Sequence, residues 1–450
     1  MNEAAFGVLR TVVILKSKEE SMIAHWSRWI LACSLGLHVI LLRAEVTTLG
    51  PVVGAVDHAT ATVWIRHAEM LPLMLTVRAP SGAVVHEANC FPMADDDFCT
   101  TCEIAGLDPD TEYTFGFVDR RGAEVAAGAF RTAVSPSQPS RCSVAIGSCA
   151  SESFPGVWQR MATEGAEVVA LCGDTPYIDS SDMRVNRDRH RAFLAQAGLI
   201  PLLRSRPLVG TWDDHDFGKN DSDGRSVDRD VIRRVFLEYR PLVTAGEGEQ
   251  GIYSSLRRGP IELFLLDARF FSQAEPSPVA PDKPTLLGKR QWEWLRRSLV
   301  ASSAPFKLLI TGMVWHDKPN KEKDDWETYA HEREALFRWL GEKRIGGVVL
   351  VGGDVHVSLR LVHDTLETAG YLIPEFVSSP LHDKVIPSLV PSKEPGLKWS
   401  AVEPNVFLLV EADSTTKEPT LVATWIRQDG LRLHQHSLTA GELSGGDTWR

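Results

Sequence analysis

The sequence has no excess of positive charge: 48 lysines and arginines against 59 acids leave a formal net charge of −11 over 450 residues. Nucleic acids and anionic membranes usually require a basic face, so a general surface for either is excluded and no specific nucleic-acid surface is expected. Nor is there an apolar run that spans a bilayer comfortably, the one markedly apolar stretch being Trp29 to Leu42. Cysteine is sparse, seven in all. Cys99-Thr100-Thr101-Cys102 has the spacing of half a zinc site, but no second pair follows, which argues against structural zinc. Two of Cys90, Cys99 and Cys102 would pair in an exported protein. No internal repeat is present.

Trp29 to Leu42 has the length of a signal-peptide core, with Arg28 before it and Arg43-Ala44-Glu45 after it. We therefore expect a signal segment over 1–44, cleaved near Ala44, and a secreted or periplasmic product with no stable membrane span after processing. Glu19 and Glu20 do not suit a basic leader, which makes Met22 an alternative start. A buried or membrane-anchoring helix is the competing reading. Cys33 lies inside the apolar core rather than after it, which argues against a lipoprotein anchor.

With 44% hydrophobic and 24% charged residues, the chain can build a large core and more than one domain. From 45 to 133, short β-prone runs alternate with turn signals: Ala61 to Arg66, Leu73 to Val77, Ala83 to Val85 and Tyr113 to Val118. This pattern predicts a small fibronectin/Ig-like β-sandwich, with Gly106 to Tyr113 as a turn leading into a tyrosine strand. Residues 134–141, rich in serine and proline, read as a linker. Over 142–450, apolar strands alternate with helical patterns, which indicates a layered α/β domain. The strands fall at Ser143 to Ile146, Glu167 to Leu171, Leu208 to Trp212, Ile261 to Leu266, Lys307 to Ile310 and Val348 to Val351. Helices are expected over Gly288 to Val300 and His331 to Lys343, and a closing hairpin from Val406 to Val410 and Leu421 to Trp425.

Several of these strands end in polar clusters, and ligands in α/β sheets bind just past strand carboxyl ends. The richest is Gly210-Thr211-Trp212-Asp213-Asp214-His215-Asp216-Phe217-Gly218-Lys219-Asn220. Alone it reads as a solvated turn with N-capping aspartates. Three other runs end similarly: Gly147-Ser148-Cys149, Gly173-Asp174-Thr175-Pro176-Tyr177 and Gly353-Asp354-Val355-His356. Cys149 as a core thiol, Tyr177 as a capping aromatic and His356 as a core histidine are each reasonable singly, but all must hold at once. Converging, the clusters would supply carboxylates suited to Ca²⁺ or Mg²⁺ and imidazole, thiolate and phenolate suited to a transition metal such as iron.

These clusters, together with Leu266-Asp267-Ala268-Arg269 and Leu287-Gly288 followed by Gln291 and Trp294-Leu295, resemble the alkaline phosphatase D (PhoD-like) family of metallophosphatases. The resemblance runs from about Gly50 to the C-terminal hairpin. It implies a metallophosphatase-like β-sandwich/α domain, similar in fold to purple acid phosphatases, that binds Fe³⁺ and Ca²⁺. By the same resemblance Cys149, Tyr177 and His356 ligate iron, Asp174 bridges, Asp214 and Asp354 hold calcium, and Arg269 grips phosphate. His215 falls where wider metallophosphatases place a histidine beside the leaving group, as a proton donor or as an orienting residue.

The chain departs from the family pattern in places. Thr175-Pro176 stands where an apolar pair is common. Gly312-Met313-Val314-Trp315-His316 lacks the usual polar residue, and His316 reads as a surface histidine, with an outer-sphere group at the site as the alternative. No twin arginine precedes the apolar core. The expected activity is metal-dependent hydrolysis of small phosphomonoesters or phosphodiesters. The rival is a non-catalytic surface-binding protein that uses the sandwich as its module; it predicts eroded ligands, yet all six are present.

Overall fold

Alternation of apolar and polar residues, the signature of a half-buried strand, governs the N-terminal part of the chain. The computed structural model describes residues 48–69, 71–150, 155–242, 244–320 and 322–446. The expected signal segment, the Met22 start and the cleavage near Ala44 lie outside the described residues. Among those described, no helix is long and apolar enough to cross a membrane. The first strands are β1 (Thr48–Val56), β2 (Thr60–His67), β3 (Leu73–Arg78), β4 (Val84–Cys90), β5 (Cys99–Ala105), β6 (Glu112–Val118) and β7 (Glu124–Arg131).

They form two antiparallel sheets, ordered β1-β2-β5 and β4-β3-β6-β7. Val53, Val63, Ile65, Leu75, Val77, Phe115 and Phe117 fill the space between them. Cys90 and Cys102 form a disulfide joining β4 to β5 across the sandwich, which leaves Cys99 as a buried thiol. The Tyr113 hydroxyl accepts the Asp108 N–H at 2.9 Å, a tyrosine-corner arrangement.

The sandwich is fastened to the rest of the chain. Leu49, Val52 and Trp64 share an apolar cluster with Val169, Leu202 and Tyr239, and the Trp64 indole donates to the Glu238 carbonyl at 2.7 Å. Asp97 accepts from Arg66, Arg191 and Tyr239 at the same seam. The described residues from Thr48 onward accordingly form one compact unit.

The following strands are β8 (Arg141–Gly147), β9 (Val168–Cys172), β10 (Leu208–Thr211), β11 (Ser254–Arg258), β12 (Ile261–Leu265), β13 (Phe306–Ile310), β14 (Val348–Gly352), β15 (Ser358–His363), β16 (Ile373–Val377), β17 (Leu397–Ala401), β18 (Val406–Asp413), β19 (Thr420–Arg427) and β20 (Arg432–Thr439). One sheet runs β10-β9-β8-β18-β19-β20 and the other β11-β12-β13-β14-β16-β15-β17. β8, β9 and β10 are mutually parallel, as are β12, β13, β14 and β16. β9, β13 and β14, apolar throughout except for Lys307 in β13, are buried at every residue, as parallel strands covered on both faces require.

Alternate residues of the first sheet serve different partners. Val144, Ile146, Val168 and Ala170 face the core shared with the second sheet, while Ala145, Val169 and Leu171 pack with Trp158 and Phe193. Trp158 and Phe193 lie on the helices Pro155–Thr163 and Met183–Leu194. The helices Gly288–Ala301 and Ala330–Lys343, both anticipated, add Leu295, Leu299, Leu336 and Leu340 to the shared core. The expected C-terminal hairpin exists as β18 and β19, but β18 also pairs with β8 inside the sheet and β20 extends it. This layered α/β body preceded by a β-sandwich is the predicted fold class.

Candidate metal centre

The carboxyl ends of the parallel strands deliver the polar clusters to one place. β8 leads into Ser148-Cys149, β9 into Gly173-Asp174, β10 into Asp213-Asp214 and β14 into Asp354 and His356. Cys149, Asp174, Asp354 and His356 hold left-handed backbones, with φ of +56°, +54°, +64° and +51°. Such angles cost about 1–3 kcal/mol each in non-glycine residues and persist where surrounding structure enforces them, commonly at functional sites. The approach is close enough to demand glycine beside Asp213: a Cβ on Gly173 or Gly312 would come within 2.4 Å of its side chain.

Donor atoms gather in three linked groups, each within 4.8 Å: Cys149, Asp174 and His356; Asp174, Asp214 and His215; Asp214, Asp221 and Asp324. Asp174 belongs to the first two, the position of a bridging carboxylate. The Tyr177 hydroxyl lies 2.9 Å from His356 Nε2, so soft and hard donors meet at Asp174. Asp354 stands apart from these groups: its Oδ2 accepts from Lys318 Nζ at 2.8 Å, and its carbonyl accepts the Cys149 thiol at 3.5 Å. The His215 backbone N–H donates to Asp214 Oδ1 at 2.8 Å, and its ring Nδ1 lies 2.5 Å from Asp179 Oδ1.

Charge is poorly balanced here. Burial first, then Asp214, Asp213 and Asp216, holds Asp174 well above the ordinary carboxylate range. Asp354 is pushed up to about 6 by burial, partly countered by Lys318, and Asp216 up to about 7, again by burial. Burial also raises the Cys149 thiol and depresses His356 to about 3. His356 Nδ1 is buried without a hydrogen-bond partner. Crowded carboxylates, a thiol and an orphaned imidazole nitrogen fit a cation-binding site, since a bound cation reverses each of these costs. The donor set therefore suits the metals that the resemblance implies.

Arg269 is held between two acids. Its guanidinium, 2% exposed as a side chain, is engaged by Asp213 on one side and Asp324 on the other; Nε donates to Asp213 Oδ1 at 2.7 Å and Nη2 to Asp324 Oδ2 at 2.9 Å. It stands here as a buried counter-charge, with two desolvated carboxylates claiming its donors. His316, expected at the surface, is buried beside Glu375 at 2.9 Å, since that interior carboxylate needs a cationic partner.

Sequence reasoning missed Lys318, Asp221, Asp324 and His382. The first three come from irregular loops with no periodic signal. His382 follows β16, and its Nε2 lies 3.3 Å from the Tyr177 hydroxyl. The strand-end rule would have found it had β16, interrupted by Pro374 and Glu375, been legible as a strand.

Two packed mixed sheets flanked by helices, with acids and histidines at their strand ends, define a metallophosphatase-like fold. The solved structure of PhoD has this fold: TM-score 0.72, 18% identity, 86% of this chain and 91% of that one covered. So does purple acid phosphatase PPD1 from yellow lupin (Lupinus luteus) seeds, at TM-score 0.65 and 12% identity over 87% of this chain and 74% of that one. The family model for PhoD-like phosphatase matches residues 144–408, and the chain belongs to that family. It is 25% identical over 309 residues to alkaline phosphatase D of Bacillus subtilis (strain 168), covering 57% of this chain. The chain spans about half the length of that curated relative, 53%.

Proposed function

We propose that this protein hydrolyses phosphoric esters at the centre around Asp174. The observation that carries the reading is the sharing of Asp174 between a thiol–imidazole group and a carboxylate group, an arrangement suited to two unlike cations. Cys149, Tyr177, His356 and Asp174 would hold Fe³⁺; Asp174, Asp214 and Asp354 would hold Ca²⁺. Bound there, the ions would supply a water of lowered pKa and neutralise charge on the phosphoryl oxygens.

The chain's own residues would do the rest. Asp179, on His215 Nδ1, orients the ring and leaves Nε2 as the nitrogen to protonate a leaving group. Asp213 is held in its glycine-walled slot by Arg269 and so fixes the start of the Asp214 turn. Lys318 supplies positive charge at Asp354, and substrate or metal entering there competes with that ion pair. Small phosphomonoesters and phosphodiesters are the proposed substrate class, and export beyond the cytoplasm the proposed setting. The test is an assay of the purified protein against a panel of both ester classes, with metal content measured in the same samples. Absence of turnover in the fully loaded protein would refute the reading.

A further inference from the structure

His382 lies outside the motifs that place the chain in its family, and the donor group of Cys149, Asp174 and His356 does not include it. Its backbone is tied to the site: the His382 N–H donates to the Cys149 carbonyl at 3.1 Å, and the His382 carbonyl accepts from Asn405 at 2.9 Å. Its ring is equally constrained. Nδ1 accepts the Lys384 backbone N–H at 3.0 Å, so Nδ1 carries no proton and the neutral ring bears its hydrogen on Nε2. That Nε2 lies 3.3 Å from the Tyr177 hydroxyl oxygen. His356 meets the same oxygen at 2.9 Å, with the two imidazoles edge-on at 4.5 Å between centroids.

We propose that His382 is a positioning residue that donates an Nε2–H hydrogen bond to Tyr177 when Tyr177 serves as a phenolate ligand, and thereby sets the electron density that this oxygen offers to the metal. The inference rests on the proposed function, in which Tyr177 ligates iron. The backbone N–H of Lys384 selects the donating tautomer, and the Cys149 and Asn405 contacts aim it. Outer donors of this kind orient ligands and tune the metal, and losing one commonly costs on the order of 10-fold or more in metal affinity. A hydrogen bond to a phenolate lowers the energy of its lone pairs, so a phenolate-to-ferric charge-transfer transition needs more energy with the bond than without it.

The experiment compares ferric-loaded full-length wild type, His382→Phe and His382→Gln by visible absorption and by iron retention against a competing chelator. The expected result is a charge-transfer band at longer wavelength in His382→Phe, with weaker iron retention. His382→Gln, which restores an N–H donor, should stay near wild type in both. An unmoved band in His382→Phe at equal iron loading overturns the inference, as does an equal shift in both variants, which would mark a merely structural role. Complete loss of iron from both overturns it in favour of direct ligation. A ferric wild type with no such band removes Tyr177 from the ligand set, and that failure belongs to the proposed function itself.

Discussion

Cys149 and Cys172 are both buried thiols at the ends of neighbouring strands, yet their surroundings differ. Cys149 Sγ lies 3.1 Å from Ser379 Oγ and within the donor group of Asp174 and His356, whereas Cys172 belongs to the apolar core. Cys149→Ser should therefore lower iron content and activity more than Cys172→Ser, as metal analysis of the two purified variants would show; equal iron loss would count against Cys149 as a ligand. Arg269 carries a stability prediction instead. Replacing it by Met leaves Asp213 buried without its counter-charge and Asp324 with Lys318 alone, at 3.6 Å, which should cost about 3–5 kcal/mol. Urea unfolding of the metal-free protein checks this, and an unchanged midpoint would remove Arg269 as the ion-pair partner that matters.

Among the elements, β16 shows where sequence reading stops. β9 and β14 are uninterrupted apolar runs, β13 is one apart from Lys307, and all three were legible, as were the clusters that follow β8, β9, β10 and β14. In β16, Pro374 and Glu375 break the apolar run, and only the fold reveals that Glu375 is buried between His316 at 2.9 Å and His363 at 2.8 Å. β15, which pairs with β16, and β17, which pairs with β15 at the sheet edge, carry mixed residues. Lys318 and Asp324 were illegible for another reason: tertiary packing, not local pattern, brings their loop to Asp354 and Arg269. Burial alone would raise Glu375, but His316 and His363 outweigh it and hold the carboxyl well below its ordinary 4.5. Burial likewise opposes the charged form of His316, but Glu375 outweighs it and raises the imidazole above 6.5. The carboxylate's contribution is thus present above pH 4.5 and lost as pH falls toward its depressed value. The imidazole's is complete below pH 6.5 and lost as pH rises through its raised value. The stability gap between wild type and Glu375→Gln should be widest between those two pH values and narrow on either side. Denaturant midpoints across pH test it, and a gap that keeps growing above neutral pH would show that the pair is not ionic.

On the scale of the whole molecule, the oxygen-donor half of the centre should exchange its metal more readily than the half anchored by thiolate, phenolate and imidazole. A calcium-selective chelator should abolish hydrolysis while most iron stays bound, and Ca²⁺ should restore activity better than Mg²⁺, whose smaller shell demands stricter octahedral geometry. Full activity in calcium-free, iron-loaded protein would rule out two-metal hydrolysis. Intact-mass measurement of exported protein should find a chain lacking Trp29; recovery of a chain that retains it would refute processing near Ala44. The seam between sandwich and α/β body has a consequence for anyone trimming this protein. Leu49, Val52 and Trp64 cover apolar side chains of the body, including Val169, Leu202 and Tyr239. A protein cut at Arg141 would carry that patch bare, together with Arg191 and Tyr239 deprived of Asp97. The sandwich is therefore a wall of the α/β body rather than a detachable accessory, and a trimmed protein that keeps this seam closed has to retain the chain from Thr48.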